Sequence, residues 1–246
     1  MRRYGLIGFP LSHSFSKKYF AEKFAREGIV DCTYELYPLE EIGLLPELLS
    51  SVENLCGLNV TIPYKKQVLP FLDHLSDEVQ KIEACNCIAI ANGKRYGYNT
   101  DTIGFEETFA PQLTLQDKAA LVLGTGGAAA AVAYTLAKLG INYTYVSREP
   151  TGKPNTILYS ALDEEMMQSY TIIINTSPLG TYPAVDDCPA IPYNLLTARH
   201  YLYDLVYNPA KTLFLKKGEE RGTRIQNGAA MLAIQAEESW KIWNRK

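Results

Sequence analysis

Along most of this chain, short runs of apolar residues alternate with segments in which apolar residues recur at the period of a helix. Stripes whose apolar residues recur every three to four positions predict helices over residues 17–27, 39–51, 70–82, 128–139, 162–169, 211–222 and 228–243. Compact or alternating apolar runs predict strands over residues 3–9, 32–37, 57–65, 84–91, 94–98, 119–123, 142–146, 156–159, 170–175 and 201–206. Because strands alternate with helices, we predict an α/β protein with mixed or parallel sheets.

Two connections have distinctive turn residues. Asn92-Gly93 lies between two predicted strands, and this dipeptide favours a two-residue hairpin turn. Pro150, Gly152 and Pro154 follow a later strand within a few residues, and no helix fits among them. That second connection is therefore predicted to be an irregular loop, although a crossover helix is usual at such a point.

The turn after the predicted strand 119–123 carries the strongest local signal. Gly124 permits a tight turn, and Gly126 leaves room for a pyrophosphate beside the backbone. Gly127 and Ala128 let a helix start close to the strand, with its free N–H groups and positive dipole end facing the phosphates. Glycines that serve packing alone are the alternative, and the position between a strand and a helix favours phosphate binding. The predicted cofactor-binding turn comprises Gly124, Thr125, Gly126, Gly127 and Ala128.

The predicted strand 142–146 is followed by Ser147, Arg148 and Glu149. In dinucleotide-binding folds an acidic residue here holds the ribose 2′-hydroxyl of NAD, whereas an arginine accommodates the 2′-phosphate of NADP. Arg148 carries a planar, permanently charged guanidinium that suits phosphate. Glu149 is compatible with the hydroxyl, and a solvated loop charge is the alternative role for Arg148. We favour NADP as the cofactor, with Ser147 and Arg148 among its ligands.

Composition and charge exclude several classes of protein. With 47% hydrophobic and 21% charged residues the chain is predicted to be globular, and its 246 residues allow one large or two ordinary domains. A net charge of −3 provides no basic surface for nucleic acid. No apolar run is long enough to span a membrane or to form the core of a signal peptide. The five cysteines lack metal-ligand spacing, so we predict no metal, reduced thiols and a cytoplasmic location.

Five further motifs follow one another along the chain. They are Gly8-Phe9-Pro10-Leu11-Ser12-His13-Ser14-Phe15-Ser16, Asn59-Val60-Thr61-Ile62-Pro63-Tyr64-Lys65, Glu83-Ala84-Cys85-Asn86-Cys87, Asn99-Thr100-Asp101 and Gly228-Ala229-Ala230-Met231-Leu232-Ala233-Ile234-Gln235. In this order, they resemble the motifs of the shikimate dehydrogenase family over nearly the whole chain. One departure is that the family commonly has Asn-Arg-Thr and then a helix where this sequence has Ser147-Arg148-Glu149-Pro150.

The resemblance implies roles for individual side chains. In the family, the hydroxyls that match Ser14 and Ser16 hold the substrate carboxylate, and the asparagine that matches Asn86 touches the substrate hydroxyls. As a set, such uncharged hydrogen-bonding groups suit a small carboxylate with several hydroxyls. The implied substrate-binding residues are Ser14, Ser16, Thr61, Asn86, Tyr207 and Gln235. Leu205 is expected near the nicotinamide, and Gly228 is expected to bind the cofactor near a hinge.

Lys65 and Asp101 are the predicted catalytic residues. Lys65 follows Pro63 at the end of a predicted strand, and Asp101 lies in a predicted loop that the sheet can bring beside it. We expect Lys65 to act as acid and base at the substrate carbonyl, with Asp101 as its partner and as an anchor for a substrate hydroxyl. Spacing alone does not exclude a solvated lysine and an aspartate in a turn, and the resemblance disfavours that alternative.

The resemblance also implies two domains, with the active site in the cleft between them. The predicted α/β substrate domain, with a mixed and mostly parallel sheet, comprises residues 1–103 and 228–246. The predicted Rossmann-like NADP-binding domain comprises residues 104–227. The implied reaction is the reversible NADP-linked reduction of 3-dehydroshikimate to shikimate, on the route to chorismate and aromatic amino acids, by a monomer or homodimer. A quinate/shikimate dehydrogenase that uses NAD and a non-catalytic dinucleotide-binding regulatory protein are the alternatives.

Overall fold

The structure, a computed structural model, describes residues 1–11 and 14–245. The chain divides into two compact units, one drawn from Met1–Thr100 and Gln235–Lys246 and the other formed by Asp101–Ile234. These limits lie a few residues from those predicted at 103 and 228. The assignment of the substrate to one part and the cofactor to the other stays a prediction.

The first unit contains one mixed six-stranded sheet. Its strands are β1 (Arg2–Gly8), β2 (Cys32–Pro38), β3 (Leu55–Val60), β4 (His74–Leu75), β5 (Cys87–Ala91) and β6 (Lys94–Tyr98), in the order β2-β1-β3-β5-β6-β4. β1 runs parallel to β2 and β3, whereas β5 is antiparallel to β3 and β6. The β5–β6 hairpin turns on Asn92-Gly93, as the sequence predicted.

Three helices lie wholly within the first unit: α1 (Phe15–Glu27), α2 (Leu45–Ser51) and α3 (Asp77–Ile82). α1 ends at Gly28, whose φ of 65° lies in the left-handed region that favours glycine. The helix predicted over residues 39–51 is shorter in the structure, because a 3₁₀ turn occupies Ile42–Leu44. Pro46 lies in the first turn of α2, where a missing N–H costs no helical hydrogen bond.

The helix predicted over residues 70–82 is wrong in its first half, where β4 lies instead. Arg95 donates to the Asp73 carboxylate from its backbone N at 2.8 Å and from Nε at 2.7 Å, which holds this segment beside β6. Ser76 then caps α3, since its Oγ accepts from Val79 N at 3.4 Å. A contact distant in sequence thus overrides the local helical pattern.

The last helix, α8 (Ala229–Trp243), begins within the second unit and ends within the first. Its Trp243 stacks on Tyr4 with the ring centroids 4.8 Å apart, and Trp243 Nε1 donates to the Ile88 carbonyl oxygen at 2.9 Å. A Cβ at Gly57 would clash with the Trp243 indole, so this position of β3 needs glycine. The end of α8 is therefore part of the core of the first unit.

The second unit contains an all-parallel six-stranded sheet. Its strands are β7 (Ala119–Leu123), β8 (Asn142–Ser147), β9 (Thr156–Leu158), β10 (Ile172–Asn175), β11 (Tyr201–Asp204) and β12 (Arg224–Asn227), in the order β12-β11-β10-β7-β8-β9. Counted from β7, this is the 3-2-1-4-5-6 order of dinucleotide-binding folds. The order reverses between β7 and β10, so a ligand crevice is expected there, at the carboxyl ends of the strands.

Helices cover both faces of this sheet: α4 (Asp101–Phe109), α5 (Gly127–Lys138), α6 (Glu164–Ser169) and α7 (Leu213–Glu219). On one face Phe105 and Leu136 pack with Val122 of β7. On the other face Phe214 packs with Leu121. Neighbouring residues of β7 thus point into different cores, as alternation along a strand requires. The prediction of an α/β fold, with a mixed sheet in the first domain and a Rossmann-like second domain, is confirmed.

The connection between β8 and β9, residues 148–155, contains no helix, which confirms the prediction made from its two prolines and its glycine. Lys153 Nζ lies 3.7 Å from the centroid of the Tyr145 ring. This cation–π contact covers part of the strand face from the loop.

β12 was not predicted, because its Arg-Ile-Gln-Asn sequence has no apolar pattern. Arg224 Nη2 lies 3.0 and 2.9 Å from the two carboxylate oxygens of Asp117, and the Arg224 guanidinium carbon is 4.9 Å from the centroid of the Tyr201 ring. Contacts with residues far away in sequence hold this strand in the sheet.

No helix in the described part of the chain is long and apolar enough to cross a membrane. Within residues 1–11 and 14–245, no three His, Cys, Asp or Glu side chains are grouped so that they could hold a metal ion. All five cysteines are free thiols.

Candidate functional site

The turn after β3 carries Lys65. Its neighbour Tyr64 is 3% exposed, and the Tyr64 hydroxyl donates to the Leu39 carbonyl oxygen at 2.6 Å. The Lys65 carbonyl oxygen accepts from Cys85 N at 2.7 Å. These contacts anchor the backbone on both sides of the Lys65 side chain, which is half-buried, and place it next to the segment that contains Asn86.

Thr61 lies between β3 and this turn. Its N–H donates to the Ile7 carbonyl oxygen at 2.9 Å. A Cβ at Gly8 would clash with the Thr61 methyl and would lie 3.0 Å from the Ile62 carbonyl oxygen. Gly8 therefore lets the end of β1 run close to the segment after β3, which brings Thr61 beside the start of the motif over residues 8–16.

Ser14 and Ser16, the predicted carboxylate-binding residues, lie at the start of α1. Ser14 is the N-cap residue, and its side chain makes no cap hydrogen bond. Ser14 Oγ is buried without a hydrogen-bond partner among the described residues, which is the state of a polar atom that a ligand can complete. Ser16 is 8% exposed, and its side chain opposes the rise that burial causes in the pKa of the Tyr34 phenol, which places Ser16 near that hydroxyl. Ser12 and His13 of the same motif lie outside the described residues.

Asn86 and Gln235 meet around Thr100. Asn86 Oδ1 accepts from Thr100 N at 2.7 Å, and Asn86 Nδ2 donates to Thr100 Oγ1 at 3.1 Å. Because one bond uses the oxygen and the other the nitrogen, together they determine the orientation of the Asn86 side-chain amide. Gln235 Oε1 lies 3.5 Å from Thr100 Oγ1, and all three residues are buried. The structure thus brings together two residues that the sequence predicted for substrate binding.

Asp101 directly follows Thr100 in the chain and is the first residue of α4, in the second unit. The predicted loop over residues 99–102 is therefore shorter than expected. Asp101 is 7% exposed, and a carboxylate in the first turn of a helix is stabilised by the positive end of the helix dipole. The predicted pairing of Lys65 with Asp101 joins residues of two units and stays a prediction.

The glycine turn between β7 and α5 has the geometry of an anion site. Gly124 adopts a φ of 118°, and a Cβ there would lie 2.8 Å from Thr176 Oγ1. Gly126 is the N-cap of α5 and provides no side chain to bond the first N–H groups of the helix, which start at Gly127 and Ala128. Apart from its two chain neighbours, no atom of the described residues lies within 4 Å of the place that a Gly126 Cβ would take. The first N–H groups of a helix have no acceptor within the helix. Open space beside those of α5 therefore fits a pyrophosphate.

Asp204 ties together the carboxyl edge of the same sheet. Asp204 is fully buried at the end of β11. Its Oδ1 accepts hydrogen bonds from Asn175 Nδ2 at 2.9 Å and from Val206 N at 3.0 Å. Its Oδ2 accepts a hydrogen bond from Thr212 Oγ1 at 2.5 Å. Burial raises the pKa of Asp204 to about 6, against the opposing effect of these hydrogen bonds. Thr212 also caps α7 by accepting from Leu215 N. One carboxylate thus links the ends of β10 and β11 to the start of α7.

Leu205, predicted to lie near the nicotinamide, and Gly228, predicted to bind the cofactor, are in contact. A Cβ at Gly228 would clash with the Leu205 carbonyl oxygen, and Gly228 N donates to the Val206 carbonyl oxygen at 3.3 Å. Both residues therefore lie at the sheet edge that Asp204 organises. Tyr207, a predicted substrate contact, follows in the same segment, and partial burial raises the pKa of its phenol.

Ser147 and Arg148 lie at the carboxyl end of β8. Ser147 Oγ accepts from Glu149 N at 3.3 Å, and Arg148 is exposed. Burial raises the pKa of Tyr159 to about 12, and the positive charge of Arg148 opposes this shift, which places the guanidinium near that ring. An exposed arginine at the end of the second parallel strand has the position that accommodates a 2′-phosphate in such folds.

Sequence reasoning missed several polar residues of the first unit. Tyr34, Asn59, Thr100 and Ser239 are all buried and hydrogen-bonded around the predicted substrate-binding side chains. Asn59 and Thr100 lie within two of the motifs, and Ser239 follows Gln235 by four positions on the same face of α8. Motif membership and helical spacing were therefore the signals available for finding them.

Known proteins align with this chain over almost its whole length. "Shikimate dehydrogenase (NADP(+))" of Clostridium beijerinckii is 40% identical over 252 residues, which cover 98% of this chain and 92% of that protein. The chain belongs to the shikimate dehydrogenase family. A relative of the same name from Methanococcus maripaludis is 36% identical over 258 residues, covering 98% of this chain and 91% of that protein.

The family resemblance extends to a domain model and to solved structures. The model described as "Shikimate dehydrogenase substrate binding domain" matches residues 6–88, which lie in the first unit. The shikimate 5-dehydrogenase of Thermus thermophilus, solved with NADP(H) and shikimate, is 30% identical with a TM-score of 0.87, covering 99% of this chain and 94% of that one. Shikimate dehydrogenase 1 of Peptoclostridium difficile is 32% identical with a TM-score of 0.84, covering 99% and 91%. The family expected from the motifs is confirmed.

Proposed function

We propose that this protein is an NADP-dependent shikimate dehydrogenase, which reversibly reduces 3-dehydroshikimate to shikimate on the route to chorismate and aromatic amino acids. The observation that carries the proposal is the 40% identity to an NADP-dependent shikimate dehydrogenase over 98% of this chain. Two features of the molecule support it: the buried cluster of uncharged polar side chains in the first unit, and the parallel sheet with the dinucleotide-binding order in the second.

The second unit has residues that fit NADP. The first N–H groups of α5 would hold the pyrophosphate in the open space at Gly126, within the turn over residues 124–128. Arg148 would bind the 2′-phosphate through its guanidinium, beside Ser147. Leu205 and Gly228 would border the nicotinamide. When bound, the cofactor donates or accepts a hydride at the ring carbon of the substrate.

The first unit supplies most of the proposed substrate contacts. Ser14 and Ser16 would donate hydrogen bonds to the carboxylate. Ser14 Oγ has no hydrogen-bond partner in the part of the chain that the structure describes, which supports this role. The remaining residues would read the hydroxyls and the ring. A site built to hydrogen-bond a hydroxyl rejects analogues that lack it, because its buried polar groups are then left unpaired. These residues are Thr61, Asn86, Tyr207 and Gln235.

Lys65 is the proposed acid and base. In the direction of reduction its ammonium gives a proton to the carbonyl oxygen as that oxygen becomes an alkoxide, and in the direction of oxidation the neutral amine takes the proton back. Asp101 acts on the same substrate by accepting a hydrogen bond from a hydroxyl. The anchored turn at Tyr64 and the buried start of α4 support these roles, because they hold the two backbones firmly.

One assay of reduced-cofactor absorbance tests the proposal. The purified protein should reduce NADP⁺ in the presence of shikimate, and NAD⁺ and quinate are tested in parallel. Faster turnover with NAD⁺ and quinate would identify a quinate/shikimate dehydrogenase, for which Glu149 beside Arg148 is the compatible residue. Binding of a dinucleotide without turnover of either acid would identify a regulatory protein.

The proposed partners are these small molecules and not nucleic acid, in keeping with a net charge of −3. The proposed location is the cytoplasm, where the five free cysteines would stay reduced. A monomer or homodimer is the proposed assembly, and analytical ultracentrifugation would distinguish the two.

A further inference from the structure

The sequence contains two Asn-Gly dipeptides, at residues 92–93 and 227–228, and they lie in different surroundings in the fold. In such a pair the glycine nitrogen can attack the side-chain carbonyl carbon of asparagine, because glycine has no side chain to hinder the approach. The new C–N bond closes a succinimide ring, and the side-chain amide leaves as ammonia with the proton of the glycine nitrogen. Water then opens the ring at either carbonyl, which gives aspartate or isoaspartate. The reaction therefore needs water and no other reactant.

Asn92 and Gly93 form the exposed tip of the β5–β6 hairpin, with φ angles of 51° and 73°. Apart from its two chain neighbours, no atom of the described residues lies within 4 Å of the place that a Gly93 Cβ would take. Within residues 1–11 and 14–245, the Asn92 side chain has no hydrogen-bond partner. Exposed loop tips open locally at low cost in free energy, so the Gly93 nitrogen can reach the Asn92 carbonyl carbon without unfolding of the sheet.

Asn227, the last residue of β12, has both ends of its side-chain amide in hydrogen bonds. Asn227 Nδ2 donates to the Ala210 carbonyl oxygen at 2.7 Å, and Asn227 Oδ1 accepts from Ala229 N at 3.1 Å. The nitrogen that would attack, Gly228 N, itself donates to the Val206 carbonyl oxygen at 3.3 Å, and Gly228 is buried. Succinimide formation at this second pair therefore requires all three hydrogen bonds to break.

We propose that Asn92 is a site of spontaneous deamidation and isomerisation in the folded protein, and that the fold protects Asn227 from the same reaction. Aspartate at position 92 is compatible with the turn, because Asp-Gly favours the same two-residue hairpin as Asn-Gly. Isoaspartate instead adds a methylene group to the backbone between Ala91 and Lys94, which pair across the hairpin. The folded protein therefore gains a carboxylate, and in part of the molecules a longer turn, at the end of β5.

Peptide mapping tests the proposal on protein aged in mildly alkaline buffer, with one sample folded and a second sample in urea. Trypsin releases Asn92 in peptide 82–94 and Asn227 in peptide 225–241, and fragmentation in the mass spectrometer shows which amide has become an acid. In the folded sample Asn92 should convert roughly 30-fold faster than Asn227, or about 2 kcal/mol, which is the net contribution of two side-chain hydrogen bonds. In urea the two rates should be closely similar, because no fold restrains either pair.

Asn92→Asp is the matched variant, because it keeps a turn-forming dipeptide and lacks the amide that leaves. An isoaspartyl methyltransferase labels isoaspartate, and the label in peptide 82–94 of the aged, folded protein should be much weaker in the variant than in the wild type. Equal labelling of the two proteins would overturn the inference. Equal rates at Asn92 and Asn227 in the folded sample would also overturn it, as would an Asn92 that converts in urea and stays intact when folded.

Discussion

The glycine turn of the second unit and the polar cluster of the first are suited to bind ligands by opposite means. At the turn, the proposed binding groups are backbone N–H groups, and Gly126 contributes by leaving space. In the cluster, the proposed binding groups are side chains such as Asn86 and Gln235, which are buried and bonded to one another through Thr100. Adding atoms should therefore damage the first region, whereas removing atoms should damage the second.

The largest expected effect is the loss of kcat in Lys65→Ala, which removes a side chain of the first unit. Loss of the proposed acid and base should lower kcat by about 1,000-fold, since general acid–base catalysis contributes roughly 100- to 10,000-fold. Shikimate and NADP⁺ binding, measured by calorimetry, should change far less than kcat. Lys66→Ala is the control, because Lys66 is the exposed neighbour of Lys65. Near-normal turnover of Lys65→Ala with normal binding would remove Lys65 from the mechanism.

The second prediction concerns Asp204, at the carboxyl edge of the sheet in the second unit. Its contribution to the free energy of unfolding should depend on pH. Its pKa rises from 3.8 to about 6 on folding, so the folded state binds the proton more tightly than the unfolded state. Its contribution to stability is thus full below pH 3.8 and is lost as the pH rises through 6, a change of about 3 kcal/mol at 1.36 kcal/mol per pKa unit.

Urea unfolding of wild type and Asp204→Asn across this pH window measures that contribution. The variant does not titrate at this position, so the wild type should lose about 3 kcal/mol relative to it between about pH 4 and pH 7. If the unfolding free energies of the two proteins changed with pH to the same extent, the pKa of the Asp204 carboxylate would not be raised.

Gly126→Val tests whether the turn works through empty space. The added side chain meets no protein atom near its Cβ, so Tm should hardly change, while KM for NADP⁺ should rise roughly 30-fold, or about 2 kcal/mol. Gly124→Ala is the contrasting variant, because its φ of 118° strains any other residue and should lower the unfolding free energy by about 1–3 kcal/mol. An unchanged KM in Gly126→Val would place the pyrophosphate elsewhere.

The smallest effect is expected at the one side chain proposed to select the cofactor. Arg148→Gln should raise KM for NADP⁺ about tenfold and leave KM for NAD⁺ nearly unchanged, because a single exposed charge pair with the 2′-phosphate is lost. Arg199→Gln, which changes another exposed arginine of the second unit, is the control. Equal shifts in both KM values would assign Arg148 a role that is not specific to the phosphate.

The sequence predicted those parts of the molecule that local residues determine. The turn over residues 124–128, the Asn92-Gly93 hairpin and the helix-free loop at Pro150 and Pro154 all follow from backbone preferences of glycine, asparagine and proline. Long-range contacts explain the failures. The Asp73–Arg95 pair holds β4 where a helix was predicted, and the strand at Arg224 has no apolar pattern of its own.

The same distinction applies to the candidate site. Motifs identified Asn86 and Gln235, and the structure brings them together around Thr100. The bond from Asn59 to Ser239 joins residues 180 positions apart, and no local pattern reports such a contact.

The course of α8 has a consequence for biosynthesis. The second unit is encoded by one continuous stretch, 101–234, so all six of its strands are translated before residues 235–243 of α8. The first unit needs Trp243, which fills the space over Gly57 and bonds to Ile88, although most of its sheet is made first. The first unit is therefore begun before the second but completes its interior after it, and a nascent chain halted near residue 230 should expose the unfilled surface to chaperones.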